Sequence, residues 1–312
     1  MSVVRVGTRG SRLALVQASE VARLLAREDP GIEVEIVEIH TSGDRIRDVP
    51  LGPHLGQSFF TKEIEEALLS RRVDVAVHSC KDLATTLPQG LALGAIPVRE
   101  DPRDVLVSRG PGLAELPPGA TVGTSSSRRR SFLAAAVPHV ELRELRGNVP
   151  TRVGRVDAGD LDAILLAAAG LRRLGMEDCI TEYLEPNVVL PAAAQGALAL
   201  QVRKDDARTL RLVSALDHPP SRAEVTAERA CLRSLEAGCQ APVGALARYQ
   251  EGGLRLEVGA ALPAGVARVI VEGQAEDAEE VGASAAQDLL KRLSLESLRD
   301  APWAGPPPAR GS

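Results

Sequence analysis

Aromatic side chains make up only 2% of this 312-residue sequence, so a core has to be built from leucine, valine, isoleucine and alanine. Lysine occurs only as Lys62, Lys81, Lys204 and Lys291, which leaves arginine to supply nearly all of the 37 basic charges. No stretch approaches the roughly 18 consecutive apolar residues of a membrane-spanning helix. The N-terminal MSVVRVGTRGSRLALVQ has neither the apolar segment nor the cleavage site of a secretion signal. A cytoplasmic protein without a membrane partner is expected. Cys80, Cys179, Cys231 and Cys239 form no CxxC pair and no metal-ligand spacing with the five histidines, so reduced thiols and no bound metal are expected. A net charge of −5 argues against nucleic acid as the main partner.

The length suggests about two domains, or three small ones. In the first two-thirds, strand and helix signals alternate. VVRVGT and the strictly alternating IEVEIVEIH read as strands, and RLALVQASEVARLLARE as an amphipathic helix that Ser11 can cap. KEIEEALLSRR, VDVAVHS and LALGAIPV continue the series. The pattern restarts near Asp101–Pro102, which predicts two α/β lobes with parallel sheets and EDPRD at the hinge. Beyond Pro219–Pro220 a helix is expected to run to Gly238. A small meander follows, with a hairpin at Glu251-Gly252-Gly253, and then a closing helix. The tail WAGPPPARGS reads as disordered.

Three strand-to-helix turns carry hydroxyls and arginines together. GTSSSRRR offers Thr124, Ser125, Ser126, Arg128 and Arg129; LRGNVPTR offers Arg146, Asn148 and Arg152; TRGSR offers Arg9 and Ser11. Free amides at a helix start attract anions, and a guanidinium adds a two-pronged donor for carboxylate or phosphate. Strand ends of one sheet share a rim, so the three turns can converge on one cleft. Solvated surface arginines are the alternative. In VHSCKDL, Asp82 follows a strand end beside Lys81 and suits proton transfer or stabilisation of a cation, or else caps a turn or pairs with Lys81. His78 reads as a structural histidine. Cys239, in EAGCQAPVG, lies in a shaped loop without a neighbouring histidine, and its thiol is either functional or incidental.

Together, TRGSRLALVQ, FFTKEIEEALL, DVAVHSCKDL, REDPRDVLVS, VGTSSSRRR, LRGNVPTR, DAILLAAAGLRRLG, LPAAAQGAL, VTAERA and LEAGCQAPVG resemble the porphobilinogen deaminase family, in family order, from residue 5 to about 245. The resemblance implies an α/β fold of two periplasmic-binding-protein-like (type II) lobes and a small C-terminal α+β domain with a three-stranded antiparallel sheet. It divides the chain into lobe 1 (1–98 and 198–215), lobe 2 (99–197), the C-terminal domain (216–303) and a disordered tail (304–312). It implies a hydroxymethylbilane synthase that joins four porphobilinogen molecules head to tail onto a dipyrromethane cofactor, releasing ammonia each time and then the product by hydrolysis. Asp82 is the implied catalytic residue and Cys239 the implied thioether anchor of the cofactor. Lys81, Ser126, Arg128, Arg129, Arg146 and Gln195 are implied to bind the cofactor. Arg9, Ser11, Phe60, Thr124, Ser125, Arg152 and Arg173 are implied to bind the substrate. A monomer is implied as well. The chain departs from the family where Gly56-Gln57-Ser58-Phe59-Phe60 replaces the usual Gly-Lys-Gly-Leu-Phe, and where Ala194 replaces a frequent glycine. A non-catalytic two-lobed anion-binding protein is the alternative reading; it needs neither Cys239 nor Asp82.

Overall fold

The computed structural model describes residues 2–41, 61–236, 241–262 and 265–293. Cys239, Gln57, Ser58, Phe60 and the 304–312 tail lie outside the described residues. Strand β1 (Ser2–Thr8) leads into α1 (Arg12–Glu28), and Ser11 caps that helix by accepting from the Ala14 amide. Helix α1 buries Gln17, Ala18, Val21 and Leu25 along one side, and its apolar members join Val4, Val6, Val75 and Val77 in one core. Strand β2 (Ile32–Glu38), helix α2 (Lys62–Leu69), β3 (Val75–Ser79) and β4 (Leu91–Ala95) follow.

The chain then crosses to a second sheet through β5 (Asp104–Ser108). That sheet is built from β6 (Thr121–Gly123), α3 (Ser127–Ala136), β7 (Glu141–Arg143), α4 (Val149–Asp157), β8 (Ala163–Ala167), α5 (Ala168–Arg173) and β9 (Glu182–Leu184). Its core lies on both faces. Leu106, Val122, Phe132 and Leu165 pack on one side, and Val105, Val107, Ile164 and Leu166 on the other, the period-two division of a doubly covered strand. The chain returns through β10 (Leu198–Arg203) to the first sheet.

The sheet orders are β2-β1-β3-β10-β4 and β7-β6-β8-β5-β9. They are the same permutation, the type II periplasmic-binding-protein-like arrangement. The expectation of parallel sheets needs correction, because both are mixed. β10 runs antiparallel to β3 and β4, and β5 runs antiparallel to β8 and β9. The crossing strands arrive from the opposite sheet, so no helical crossover within their own sheet forces them parallel.

The two connecting segments run side by side, with the Glu100 amide donating to the Gly196 carbonyl at 3.3 Å. Gly196 has φ +90, and a Cβ there would lie 2.2 Å from the Glu100 carbonyl oxygen, so this crossing requires glycine. Arg99 on one segment is clamped by Glu228, at 2.7 and 2.9 Å, on α7 (Pro219–Ser234). Glu228 also accepts from the Ala194 and Ala247 amides. Helix α7 follows the short α6 (Ala207–Ser214) and stops before the expected Gly238, because Glu236 turns the chain into the left-handed region at φ +50. Strands β11 (Val243–Gln250), β12 (Gly253–Leu262) and β13 (Gly265–Gln274) form the antiparallel sheet. Helix α8 (Ala278–Arg292) covers it together with α7. The hairpin between β11 and β12 has Glu251 and Gly252 both at positive φ, as a tight turn of this twist requires.

Ala194 is held in the left-handed region at φ +59, where an L side chain is strained. Ala194→Gly is therefore expected to raise the unfolding free energy by about 0.5–1 kcal/mol after its extra unfolded-state entropy is subtracted. Urea denaturation of the two proteins measures the difference.

Candidate active site

The site is assembled around one buried carboxylate at the start of β5. Asp104 has no solvent exposure. It accepts from Arg128 Nη1 at 2.7 Å, from Arg129 Nε and Nη2 at 3.0 and 2.7 Å, and from Gln195 Nε2 at 3.0 Å. Burial alone would raise its pKa, but the charges of Arg128 and Arg129 override burial and hold it far below the carboxylate range. Arg128 Nη1 also donates to the Leu190 carbonyl, and Arg129 Nη1 donates to the Leu165 carbonyl.

Gln195 carries this network across to the first sheet. Its Nε2 also donates to the Pro102 carbonyl at 2.8 Å, and its Oε1 accepts from Lys81 Nζ at 3.2 Å. Lys81 sits on the 3-10 turn Cys80–Asp82 that follows β3. Burial brings its ammonium down to about 8, against the opposing pull of Asp82. Asp82 itself is exposed. Among the described residues its carboxylate makes no hydrogen bond or ion pair, so it neither caps the turn nor bonds Lys81.

A cavity of about 110 Å³ opens beside this cluster. Lys81, Arg129, Arg152 and Arg173 line it together with Gln17, Ser79 and the apolar Leu13, Val149 and Leu166. Arg152 Nε donates to the Gly147 carbonyl at 2.7 Å, and burial, followed by the charge of Arg129, lowers its pKa to about 10. Arg173 donates to the Gly196 carbonyl at 3.0 Å and lies 3.4 Å from Glu20, and burial lowers its pKa as well. Cations whose charge is disfavoured by burial are poised for an anion, because an incoming carboxylate removes the penalty. Among the described residues, the carboxylates Asp104, Asp82 and Glu20 do not balance Arg128, Arg129, Arg152, Arg173 and Lys81, so the cavity carries a positive surplus.

Of the other expected site residues, Arg9, Ser11, Thr124, Ser125, Ser126, Arg128 and Arg146 are not among those lining the cavity. Ser126 caps α3 by accepting from the Arg129 amide, and Thr124 accepts from the Ser126 amide at 3.2 Å. The Ser125 hydroxyl donates to the Leu145 carbonyl. Arg128 is buried behind the wall, and Arg146 is half-buried and paired with Glu144 at 2.9 Å. Arg9 is half-buried, between the end of β1 and the Ser11 cap. Gln17 and Ser79 were not expected at the site, yet they line the cavity and bond each other at 2.9 Å. Their signal was a glutamine on the apolar side of an otherwise conventional amphipathic helix. His78 is a structural histidine, as expected. It is buried, and its Nε2 lies 3.0 Å from Gln201 Oε1, while Gln201 donates to Glu65.

Comparison with known proteins was made against this geometry. Residues 4–211 match the family described as "Porphobilinogen deaminase, dipyromethane cofactor binding domain". Residues 222–291 match "Porphobilinogen deaminase, C-terminal domain". A porphobilinogen deaminase of Thermus thermophilus is 49% identical over 302 residues, 96% of this chain and 99% of that protein. One of Desulforudis audaxviator is 48% identical, covering 95% of this chain and 96% of its own. Among solved structures, an ancestral cationic amino acid solute binding protein aligns over 69% of this chain and 88% of its own, with a TM-score of 0.44 and 15% identity.

The buried His78 gives the protein an acid-sensitive point. Burial lowers its pKa from 6.5 to about 4, so the folded state resists a proton that the unfolded chain accepts. Stability contributed in this way is complete above about pH 6.5 and is lost as pH falls toward 4, by about 3 kcal/mol in all. Urea unfolding across this range should show the decline, and His78→Gln should flatten it.

Proposed function

This chain belongs to the porphobilinogen deaminase family, and from that membership we propose which of its residues carry the reaction. The protein is a hydroxymethylbilane synthase, a transferase of tetrapyrrole biosynthesis. It condenses four porphobilinogen molecules head to tail, with loss of ammonia, and releases hydroxymethylbilane by hydrolysis. When bound, its dipyrromethane cofactor supplies the pyrrole that receives the first substrate. The residues present fit such a group, because a polycarboxylate matches the positive surplus around Lys81, Gln195 and Arg129.

Cys239 is the covalent anchor in this reading. A thiolate is a good nucleophile toward a methylene-pyrrole carbon, and the thioether it forms, unlike a thioester, resists hydrolysis. Lys81, Arg129, Arg152 and Arg173 hold acetate and propionate groups, and Arg128 keeps Asp104 and Arg129 in place from behind. Arg9, Ser11, Phe60, Thr124, Ser125, Ser126 and Arg146 complete the binding set around them.

Asp82 performs the chemistry. The observation that carries this assignment is its exposed carboxylate, unbonded among the described residues and one residue from the half-buried Lys81. It holds the aminomethyl group of porphobilinogen in its ammonium form. When the carbon–nitrogen bond breaks, ammonia leaves with the bonding pair, and the carboxylate stabilises the positive methylene-pyrrole that remains. Once the new carbon–carbon bond has formed, the same carboxylate accepts the ring proton that is released.

The chain divides as 1–98 with 198–215, 99–197 and 216–303, so each mixed sheet forms one lobe and the three-stranded sheet a separate unit. No described helix is long and apolar enough to cross a membrane; family membership is what supports the reading of a cytoplasmic monomer.

Intact-mass measurement of the purified protein is expected to show the added mass of two porphobilinogen units less their ammonia, and Cys239→Ser is expected to lack it. Full activity without that mass would remove the anchor assignment. Asp82→Asn should keep the added mass and lose at least about 100-fold in turnover, the usual scale of a general acid–base group. Near-normal turnover would move the chemistry to another residue.

A further inference from the structure

The cavity beside Lys81 holds about 110 Å³, below the roughly 300–1,000 Å³ of ordinary ligand pockets. Each porphobilinogen adds a ring with two carboxylates, so material must leave this cavity as the product lengthens. A second depression, open to solvent and of about 640 Å³, adjoins it. Both are lined by Arg173, and both use α1 as a wall. Leu13 and Gln17 line the cavity, whereas Arg12, Leu15, Val16, Glu20 and Arg23 line the open groove. The groove residues recur at three- and four-residue spacing, one strip of the helix surface, and the strip is about 16 Å long.

The chemistry of the strip suits a ring-bearing polyanion. Arg12 and Arg23 stand at its two ends, both exposed, and among the described residues neither is hydrogen-bonded or ion-paired. Leu15 and Val16 are half-buried and give an apolar floor between them. Among the described residues that line the groove Glu20 is the carboxylate, and Arg173 compensates it at 3.4 Å, which also fixes the junction with the cavity; the Glu38 carboxylate packs against Gly10 at the Arg12 end.

We propose that the groove along α1 receives the carboxylate-bearing rings that outgrow the cavity, with Arg12 and Arg23 binding their carboxylates and Leu15 and Val16 their faces. This rests on the hydroxymethylbilane synthase reading. It assigns the later additions a binding surface distinct from that of the first.

The test uses the cofactor-loaded protein and the variant Arg12→Gln/Arg23→Gln, mixed with porphobilinogen, quenched and analysed by intact mass. The wild type should show adducts of one to four units. The variant should still form the first adduct, with the three- and four-unit adducts reduced roughly fivefold, the scale of two exposed charge pairs. Arg12→Lys/Arg23→Lys should restore them. Fluorescence titration with uroporphyrin I, a stable octacarboxylate tetrapyrrole, gives a second readout, with a Kd roughly fivefold higher for the Gln variant and a difference that salt abolishes. Absence of every adduct from the wild type overturns the functional reading itself. Wild-type adducts that persist in unchanged proportion in the Gln variant, or an unchanged uroporphyrin I affinity, overturn the groove alone.

Discussion

Asp104 is a single buried carboxylate shared by two guanidiniums, and the site depends on how that imbalance is resolved. One negative charge cannot neutralise two positive ones, so the cluster stays cationic while each guanidinium is still oriented by two or more bonds. A fully balanced cluster would have no field to offer a carboxylate ligand. An unbalanced cluster without Asp104 would leave two cations buried together, which costs several kcal/mol. The observed arrangement retains a surplus of charge and holds it still.

The same carboxylate also connects the two lobes. Gln195 bridges Asp104 of the second sheet to Lys81 of the first, and the Gln195 carbonyl accepts from Arg99 at 2.9 Å. Arg99 is clamped by Glu228, whose other partners include the Ala247 amide of the C-terminal sheet. An unbroken set of buried and part-buried polar bonds therefore runs from the cavity through the crossing segments to the third unit. Gly196 permits the crossing because no side chain fits against Glu100, and Ala194 accepts a strained conformation two residues earlier to reach Glu228. Rigid placement of this kind matters for a site whose ligands carry many like charges, since small displacements alter every pairing.

Local signals were readable in the sequence wherever a single turn sets them. Ser11 follows a strand and precedes an amphipathic segment, and it caps its helix as read; Ser126 and Asn148, read as parts of strand-to-helix turns, cap their helices as well. The hairpin at Glu251-Gly252 and the structural role of His78 were also legible. The pairing of Arg128 and Arg129 with Asp104 was not, because 24 and 25 residues separate the partners and no periodicity links them. Along the chain those arginines read as ligand-binding; in the fold they bond Asp104. The antiparallel insertion of β5 and β10 was hidden for a similar reason, since strand patterns record burial and not direction. Asp82 and Cys239 drew their roles from family resemblance, and local chemistry alone left both open.

Unfolding free energy at neutral pH, compared between the wild type and Asp104→Asn, tests the dependence on this carboxylate most directly. With its pKa held far down in the folded state, Asp104 contributes stability that is present above about pH 4 and lost as pH falls below it. Asp104→Asn is expected to cost about 3–5 kcal/mol at pH 7, the scale for breaking a buried ion pair, and progressively less in acid. A cost below about 1 kcal/mol, or one independent of pH, would contradict a site organised by this charge.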